Sequence, residues 1–320
     1  MRHAPHTHPL RADLLMLGAA LIWGCSFVVQ RLSLATIGPL LFTGVRFLLG
    51  ACIVALMGRW LRDREGADRE DAGSAGRASL PWRPGAVLGV LVALSISAQQ
   101  IGLAYTQVAN AGFISAMYVV LVPLFSMLAG HRLRFGIIAG ALCAATGLYF
   151  LSGERLTLQY GDALELFGAV AIALQLILMG MWVHRHDALT LAWIQNLVCG
   201  LICLAAAFAF EPVHWSAIQN SLLAILYCGG LSVGLGYGIQ AISQRDALPP
   251  HAAIIFSTEG VFAALAARVF IREHLSWQAI VGCCLVVLGC LVSQLATVLR
   301  RRSGSSHASS PISGRNEHSL

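Results

Sequence analysis

The sequence predicts an all-α membrane protein with ten transmembrane helices in two inverted five-helix repeats. Three observations carry that prediction. Of the 320 residues, 57% are hydrophobic and 11% charged, and mean hydropathy is +0.73; a soluble domain averages about 45–50% apolar and about 25% charged. Ten apolar runs each approach or exceed the ~20 residues that cross a bilayer as a helix. The runs fall five and five, and an odd number per half turns the second half upside down relative to the first.

Taken in order, residues 1–13 form a polar leader with Arg2, Arg11 and three histidines, His3, His6 and His8. The first run, 14–34, continues past the short core of a signal peptide and meets no small-residue cleavage site, so it reads as an uncleaved span. The second run, 38–58, contains Arg46. Residues 59–84 mix six arginines with five acids and end in Gly, Ser and Pro, the signature of a solvated cytoplasmic loop. Runs 85–105, 109–129 and 135–153 complete a first half, 14–153. Runs 162–182, 189–210, 217–241, 249–270 and 276–298 build a second half, 154–298. Asp162 and Glu165 stand near the start of the sixth run and read as too close to the membrane surface to be buried. Gly230, Gly234 and Gly238 in the eighth make a small-xxx-small ridge, which lets helix backbones approach. The tail, 299–320, is rich in Ser and Gly and reads as disordered.

All 21 basic residues are Arg. With the N-terminus in the cytoplasm, 16 of them fall on inside segments and four on outside segments, and Arg46 lies within a span. Enrichment of positive charge on cytoplasmic segments sets orientation, so both termini are expected inside. The net charge of +6 therefore reports topology, and no nucleic-acid partner is expected. The nine cysteines all fall in apolar runs, with no C-x-x-C pair and no zinc-ligand spacing, and read as small packing residues. Six of the seven Trp sit at span ends, as an interfacial belt requires; only Trp23 lies deep.

The halves repeat weakly. A shift of 142 places Leu133 on Leu275, Ile138 on Ile280, Gly140 on Gly282, Gly147 on Gly289, His131 on Glu273 and Ser115 on Ser257, and a one-residue gap brings Asn110-Ala111 onto His251-Ala252. Asp13 and Asp162 open corresponding spans. Residues Trp23–Phe27 (WGCSF), Val45–Phe47 (VRF) and Asn110–Leu124 (NAGF…YVVLVPL), with His251–Leu265 (HAAIIFSTEGVFAAL) and Arg272–Ser276 (REHLS), resemble an EamA-type transporter of the drug/metabolite transporter superfamily over about residues 12–298. That resemblance implies ten helices in two EamA-like repeats and a transport function. Two departures stand out. Gly260 replaces the Pro of the family's usual T-E-P, leaving Pro123 in the fourth span to retain a kink, and His131-Arg132 stands where Gly-Glu is common.

Ionisable groups at bilayer depth are costly and need a partner or a purpose. Arg46 can clamp a substrate carboxylate with its planar fork; the competing reading is a fixed counter-ion or carbonyl anchor. Glu259 can take up and release a proton as a cavity alternates between faces, or can simply hydrogen-bond a neighbouring helix, with Ser257 and Thr258 in support. Ser232, Gly236 and Gln240 share one face of the eighth span at spacings of four. Trp23, Gln99, Tyr118 and Gln175 are further candidates to line the same cavity, and Gln100 neighbours them. Interhelical hydrogen bonds explain such uncharged residues equally well.

H-E-x-x-H, G-x-S-x-G, the P-loop and a strand–helix G-x-G-x-x-G are all absent, so neither an enzyme nor a cofactor is expected, and His184-Arg185-His186-Asp187 reads as a basic inside turn. The expectation is a secondary transporter that works by alternating access with protons as the coupling ion, and the resemblance to the EamA-type transporters implies export of small metabolites, such as amino acids or toxic compounds, across a bacterial cytoplasmic membrane. Uptake or exchange would share the same sequence features. Rivals of another class are an intramembrane enzyme acting on lipid, which needs a nucleophile and base at one depth, and a scaffold without a polar cavity. Substrate, bilayer and protons are the expected partners; the oligomeric state stays open, a homodimer included.

Overall fold

The computed structural model describes residues 9–67, 80–130, 133, 135–152, 160–272, 274 and 276–307. His3, His6, His8, His131, Arg132, Glu273 and Leu275 lie outside the described residues, as do residues 68–79 of the loop 59–84 and the end of the tail. Among the described residues every regular element is helical.

Pro9–Ser33 (α1) and Pro39–Ala67 (α2) are long helices. Proline suits the first position of α2 because that N–H has no partner within the helix. The next amides of α2, Leu40 and Leu41, donate to Oε1 and Oε2 of Glu211 at 2.7 and 2.9 Å. A carboxylate at a helix N-terminus satisfies orphan donors and meets the positive end of the dipole. Trp82–Gly102 (α3) follows, then Val108–Ser115 (α4) and Tyr118–Leu128 (α5), and Phe135–Ser152 (α6). The second half begins with Tyr160–Trp182 (α7) and Ala188–Phe210 (α8). Asp187 caps α8, accepting from Thr190 N and Oγ1 at 2.8 Å each. Trp215–Asn220 (α9), Leu222–Leu226 (α10), a π-helical segment Tyr227–Gly236 and Tyr237–Ser243 (α11) form one broken rod. Pro249–Phe256 (α12), Glu259–Phe270 (α13) and Trp277–His307 (α14) end the order.

Among the described residues eight helical stretches are long and apolar enough to cross a membrane, and two shorter apolar ones, Phe135–Phe150 and Trp277–Ser293, lie where the sequence predicts the fifth and tenth spans. Leu223, Phe135 and Phe210 are more than 80% exposed; a multi-pass membrane protein turns such side chains to lipid. Helix α14 continues to His307, which corrects the expectation of a disordered segment directly after residue 298.

The main packing pairs are α6 with α14, α2 with α8, α3 with α7 and α8, α2 with the π-helical segment, and α1 with α13. The glycines Gly140, Gly147, Gly282 and Gly289 explain the first pair. A Cβ on Gly147 would lie 2.6 Å from the Gly282 carbonyl oxygen, and one on Gly289 would lie 2.6 Å from that of Gly140. Backbone meets backbone only because no side chain intervenes.

The eighth span departs from the sequence reading. Its middle is π-helical, and the close approaches to α2 come from Gly229, Gly234 and Gly238, where a Cβ would lie 2.8 Å from Leu49, 2.9 Å from Ile53 and 2.6 Å from Met57, so that two glycines of the predicted ridge pack there while Gly230 keeps ordinary contact with Ile53. π-helical turns of this kind frequently mark functional sites.

Candidate functional site

The fourth and ninth spans each break once, at Ala116–Met117 and at Ser257–Thr258. Neither break sits at a proline. Pro123 lies inside α5, beyond the fourth-span break, so the kink expected from it falls elsewhere. In the ninth span the hydroxyls of Ser257 and Thr258 donate back to the Ile254 and Ile255 carbonyls at 2.7 Å each. Thr258 N also bonds Ile255 O, and Gly260 N bonds Ser257 O, both three residues back. Hydroxyls that bond back onto their own helix bend it. Gly260 in place of Pro then permits close packing on α4: a Cβ there would stand 3.2 Å from the Gly112 carbonyl oxygen.

The breaks place Tyr118 at the start of α5 and Glu259 at the start of α13, and the Tyr118 hydroxyl donates to Glu259 Oε1 at 2.8 Å. Around this bond lies a cavity of about 60 Å³ walled by α1, α2, α3, α4, α5, α7, the π-helical segment, α11, α12 and α13. That volume admits several waters and falls well short of the ~300 Å³ of an ordinary ligand pocket, so a metabolite needs the bundle to open further.

Six of the nine candidate residues line it: Arg46, Glu259, Trp23, Gln99, Tyr118 and Gln240. Trp23 donates from Nε1 to the Ser232 carbonyl at 2.9 Å, and its ring packs against Tyr237 and Phe256 at 5.4 and 5.2 Å between centroids. Gln99 donates to Ser115 Oγ at 2.7 Å. Gln175 stands behind the wall, accepting from Gln240 Nε2 at 3.0 Å. Ser257 and Thr258 are spent on the helix break.

Arg46 is 2% exposed. Its Nη2 donates to Gln100 Oε1 at 3.4 Å, a long bond, the Cys228 thiol is a neighbour, and the guanidinium lies 5.0 Å from the Phe42 ring and 5.7 Å from that of Phe47. Its Nε has no partner. Among the described residues no carboxylate lies within 4 Å of it; the ion pair found there is His251–Asp13 at 3.0 Å, with Ser293 Oγ 2.9 Å from the other ring nitrogen of His251. A buried cation normally demands an anion close by, and here that place opens onto the cavity.

Several polar residues escaped the sequence reading. Ser26 and Gln30 of α1 and Ser95 of α3 also line the cavity; the signal was present, since Ser26/Gln30 and Ser95/Gln99 repeat at the spacing of four recognised in the eighth span. Glu165 and Asp162 correct the expectation of exposure, at 0% and 8%. The close approach of Gly161 to the Gly102 carbonyl (2.8 Å from a Cβ) seats the start of α7 against α3, while Thr106 Oγ1 donates to Asp162 Oδ1 at 2.9 Å. Among the described residues no group of three or more His, Cys, Asp or Glu could hold a metal, and the nine cysteines are free.

Comparisons with known proteins agree with this architecture. The sequence matches the EamA-like transporter family over residues 10–153 and 159–295. A protein of Archaeoglobus fulgidus named "uncharacterized transporter" is 30% identical over 289 residues, covering 89% of this chain and 86% of its own length. The uncharacterized transporter YvbV of Bacillus subtilis is 24% identical, covering 92% and 94%. A crystal structure 22% identical in sequence superposes with a TM-score of 0.72 over 92% of this chain and 98% of its own, a likeness of fold. A polar cavity within a bundle of apolar helices, matched in both halves to one family, makes this chain a membrane transporter that belongs to the EamA-like transporter family.

Proposed function

We propose that the protein is a secondary transporter that exports small carboxylate-bearing metabolites, amino acids or related compounds, across the bacterial cytoplasmic membrane, with both termini inside. The observation that carries this reading is Arg46: a buried guanidinium, without a carboxylate partner among the described residues, on the wall of a central cavity. Its planar fork suits a carboxylate, and an arriving substrate supplies the missing anion.

Ten helices in two inverted repeats provide the motion. The packing supports that arrangement, because contacts between the halves come in exchangeable pairs: α3 with α7 answers α1 with the π-helical segment, and α1 with α13 answers α7 with α5. Rocking one repeat against the other exposes the cavity to each face in turn. The Asp13–His251–Ser293 contacts close the inner end, and Thr106–Asp162 with Thr36–Ser221 (2.7 Å) close the outer end. Glu259 carries the coupling proton, held by Tyr118 where the two broken helices meet.

The test is transport by purified protein in liposomes against a library of small carboxylates, amines and neutral metabolites, with and without a pH gradient. Carboxylates carried in preference to amines, and accumulated only with the gradient, are the expected result. Preference for amines removes the Arg46 role, and accumulation independent of pH removes proton coupling.

A further inference from the structure

A second polar assembly lies behind the cavity wall, built almost wholly from side-chain amides. Gln240 of α11 lines the cavity, and its Nε2 donates to Gln175 Oε1 at 3.0 Å and Gln244 Oε1 at 3.2 Å. Gln175 Nε2 of α7 donates to Gln195 Oε1 of α8 at 2.8 Å, and Gln244 Nε2 donates to the Leu176 carbonyl at 2.9 Å. Gln175, Gln195, Asn196 and Gln244 are 0% exposed, and Gln240 and Ser243 are 1% exposed.

These bonds leave much unsatisfied. Gln240 Oε1, Gln195 Nε2, both side-chain polar atoms of Asn196 and Ser243 Oγ have no partner. Each buried polar atom left in that state costs about 1–3 kcal/mol, and native interiors leave few of them. A cost of that kind concentrated on two neighbouring helices, α8 and α11, calls for something that completes the bonds. The open positions at the cluster are of both kinds, a donor on Gln195 and an acceptor on Gln240, with the Ser243 hydroxyl one helical turn from Gln240 to serve as either. No Asp, Glu or Arg belongs to the set, so a charged group entering it would be stranded without a counter-charge.

We propose that this amide cluster is a second substrate subsite, reached from the cavity at Gln240, which takes an uncharged group that both donates and accepts hydrogen bonds, a carboxamide being the simplest. The inference rests on the reading that Arg46 holds the substrate carboxylate, and it adds what the other end of the substrate is: neutral and polar. Selection follows from the chemistry, because a site built to hydrogen-bond a substrate rejects an apolar isostere that leaves its buried groups unpaired.

The probes are L-glutamine and its near-isostere L-norleucine, compared by KM in counterflow with wild-type and Gln240→Met proteoliposomes. Wild-type protein is expected to prefer glutamine at least tenfold, and Gln240→Met to shrink that preference to threefold or less. If Gln240→Met fails to give monodisperse protein, Gln195→Met, which spares the Gln240–Gln175 bond, reads the same ratio. Equal handling of the two probes by wild type, or a preference that the substitution leaves intact, assigns the cluster to water alone and overturns the subsite. Transport of other carboxylates without glutamine overturns it too while leaving Arg46 its role; failure to carry any carboxylate removes the underlying reading and the subsite together.

Discussion

Arg46→Lys separates a substrate clamp from a structural cation. Both side chains are cations, although the compact ammonium of Lys is more strongly hydrated and costs somewhat more to bury than a guanidinium. Lys loses the planar fork, and with it the ability to give two parallel N–H bonds to one carboxylate. The wild-type side chain spends little of its capacity on the protein: one long bond of 3.4 Å to Gln100, a thiol neighbour, and an unpartnered Nε. Losing one charge-assisted hydrogen bond costs about 1.5–3 kcal/mol. At 1.4 kcal/mol per tenfold, the KM for a carboxylate substrate should rise about 10- to 150-fold. The ring contacts with Phe42 and Phe47 contribute about 0.5–2 kcal/mol each, and an ammonium keeps part of them, so thermal stability should fall only modestly. Counterflow in proteoliposomes gives KM, and a fluorescence-detected melt on the same preparation gives stability. A clear drop in melting temperature with an unchanged KM in the surviving protein would refute the clamp and make Arg46 an anchor of the bundle.

Three further predictions test other parts of the structure. Glu259→Gln keeps an acceptor for the Tyr118 hydroxyl and cannot exchange a proton; gradient-driven accumulation should disappear while substrate exchange at equal pH persists, and full accumulation by the well-folded variant would exclude Glu259 as the coupling group. Gly147→Ala puts a Cβ 2.6 Å from both Gly282 O and Val286 N, an overpacking that costs about 1–3 kcal/mol; the melting temperature should fall with KM unchanged, and an unaltered melt would show that α6 and α14 separate freely. A reporter fused after Arg300 should be active only in its cytoplasmic form, and periplasmic activity there would reverse the orientation read from the arginines.

How much of this was legible beforehand depends on the range of the physics involved. Hydropathy and run length are local quantities, so the all-helical membrane class, the apolar runs and the family resemblance could be read directly. Arg46 and Glu259 also announced themselves, because a charge inside an apolar run is conspicuous without its neighbours. The same holds for the Gly140/Gly147 and Gly282/Gly289 pairs, whose matched spacing in the two halves was visible as a repeat, although only the packing shows that they bring α6 and α14 together.

Position around a helix is a different matter. In a membrane bundle the face toward lipid and the face toward the core are both apolar, so periodicity does not say which side turns inward. Glu165 illustrates this: its place near the start of α7 suggested exposure, and only the packing of α7 on α3 buries it. Ser257 and Thr258 looked like cavity residues because they flank Glu259, whereas the bent backbone consumes their hydroxyls. The bond between Tyr118 and Glu259 joins residues 141 apart in sequence, and the Gln175–Gln195–Gln240 chain joins three helices. The sequence by itself determined the class of protein, its apolar segments and which residues are too polar for their depth. Tertiary structure alone decided which of them meet, since partners in space follow from the packing of whole helices and not from any local pattern.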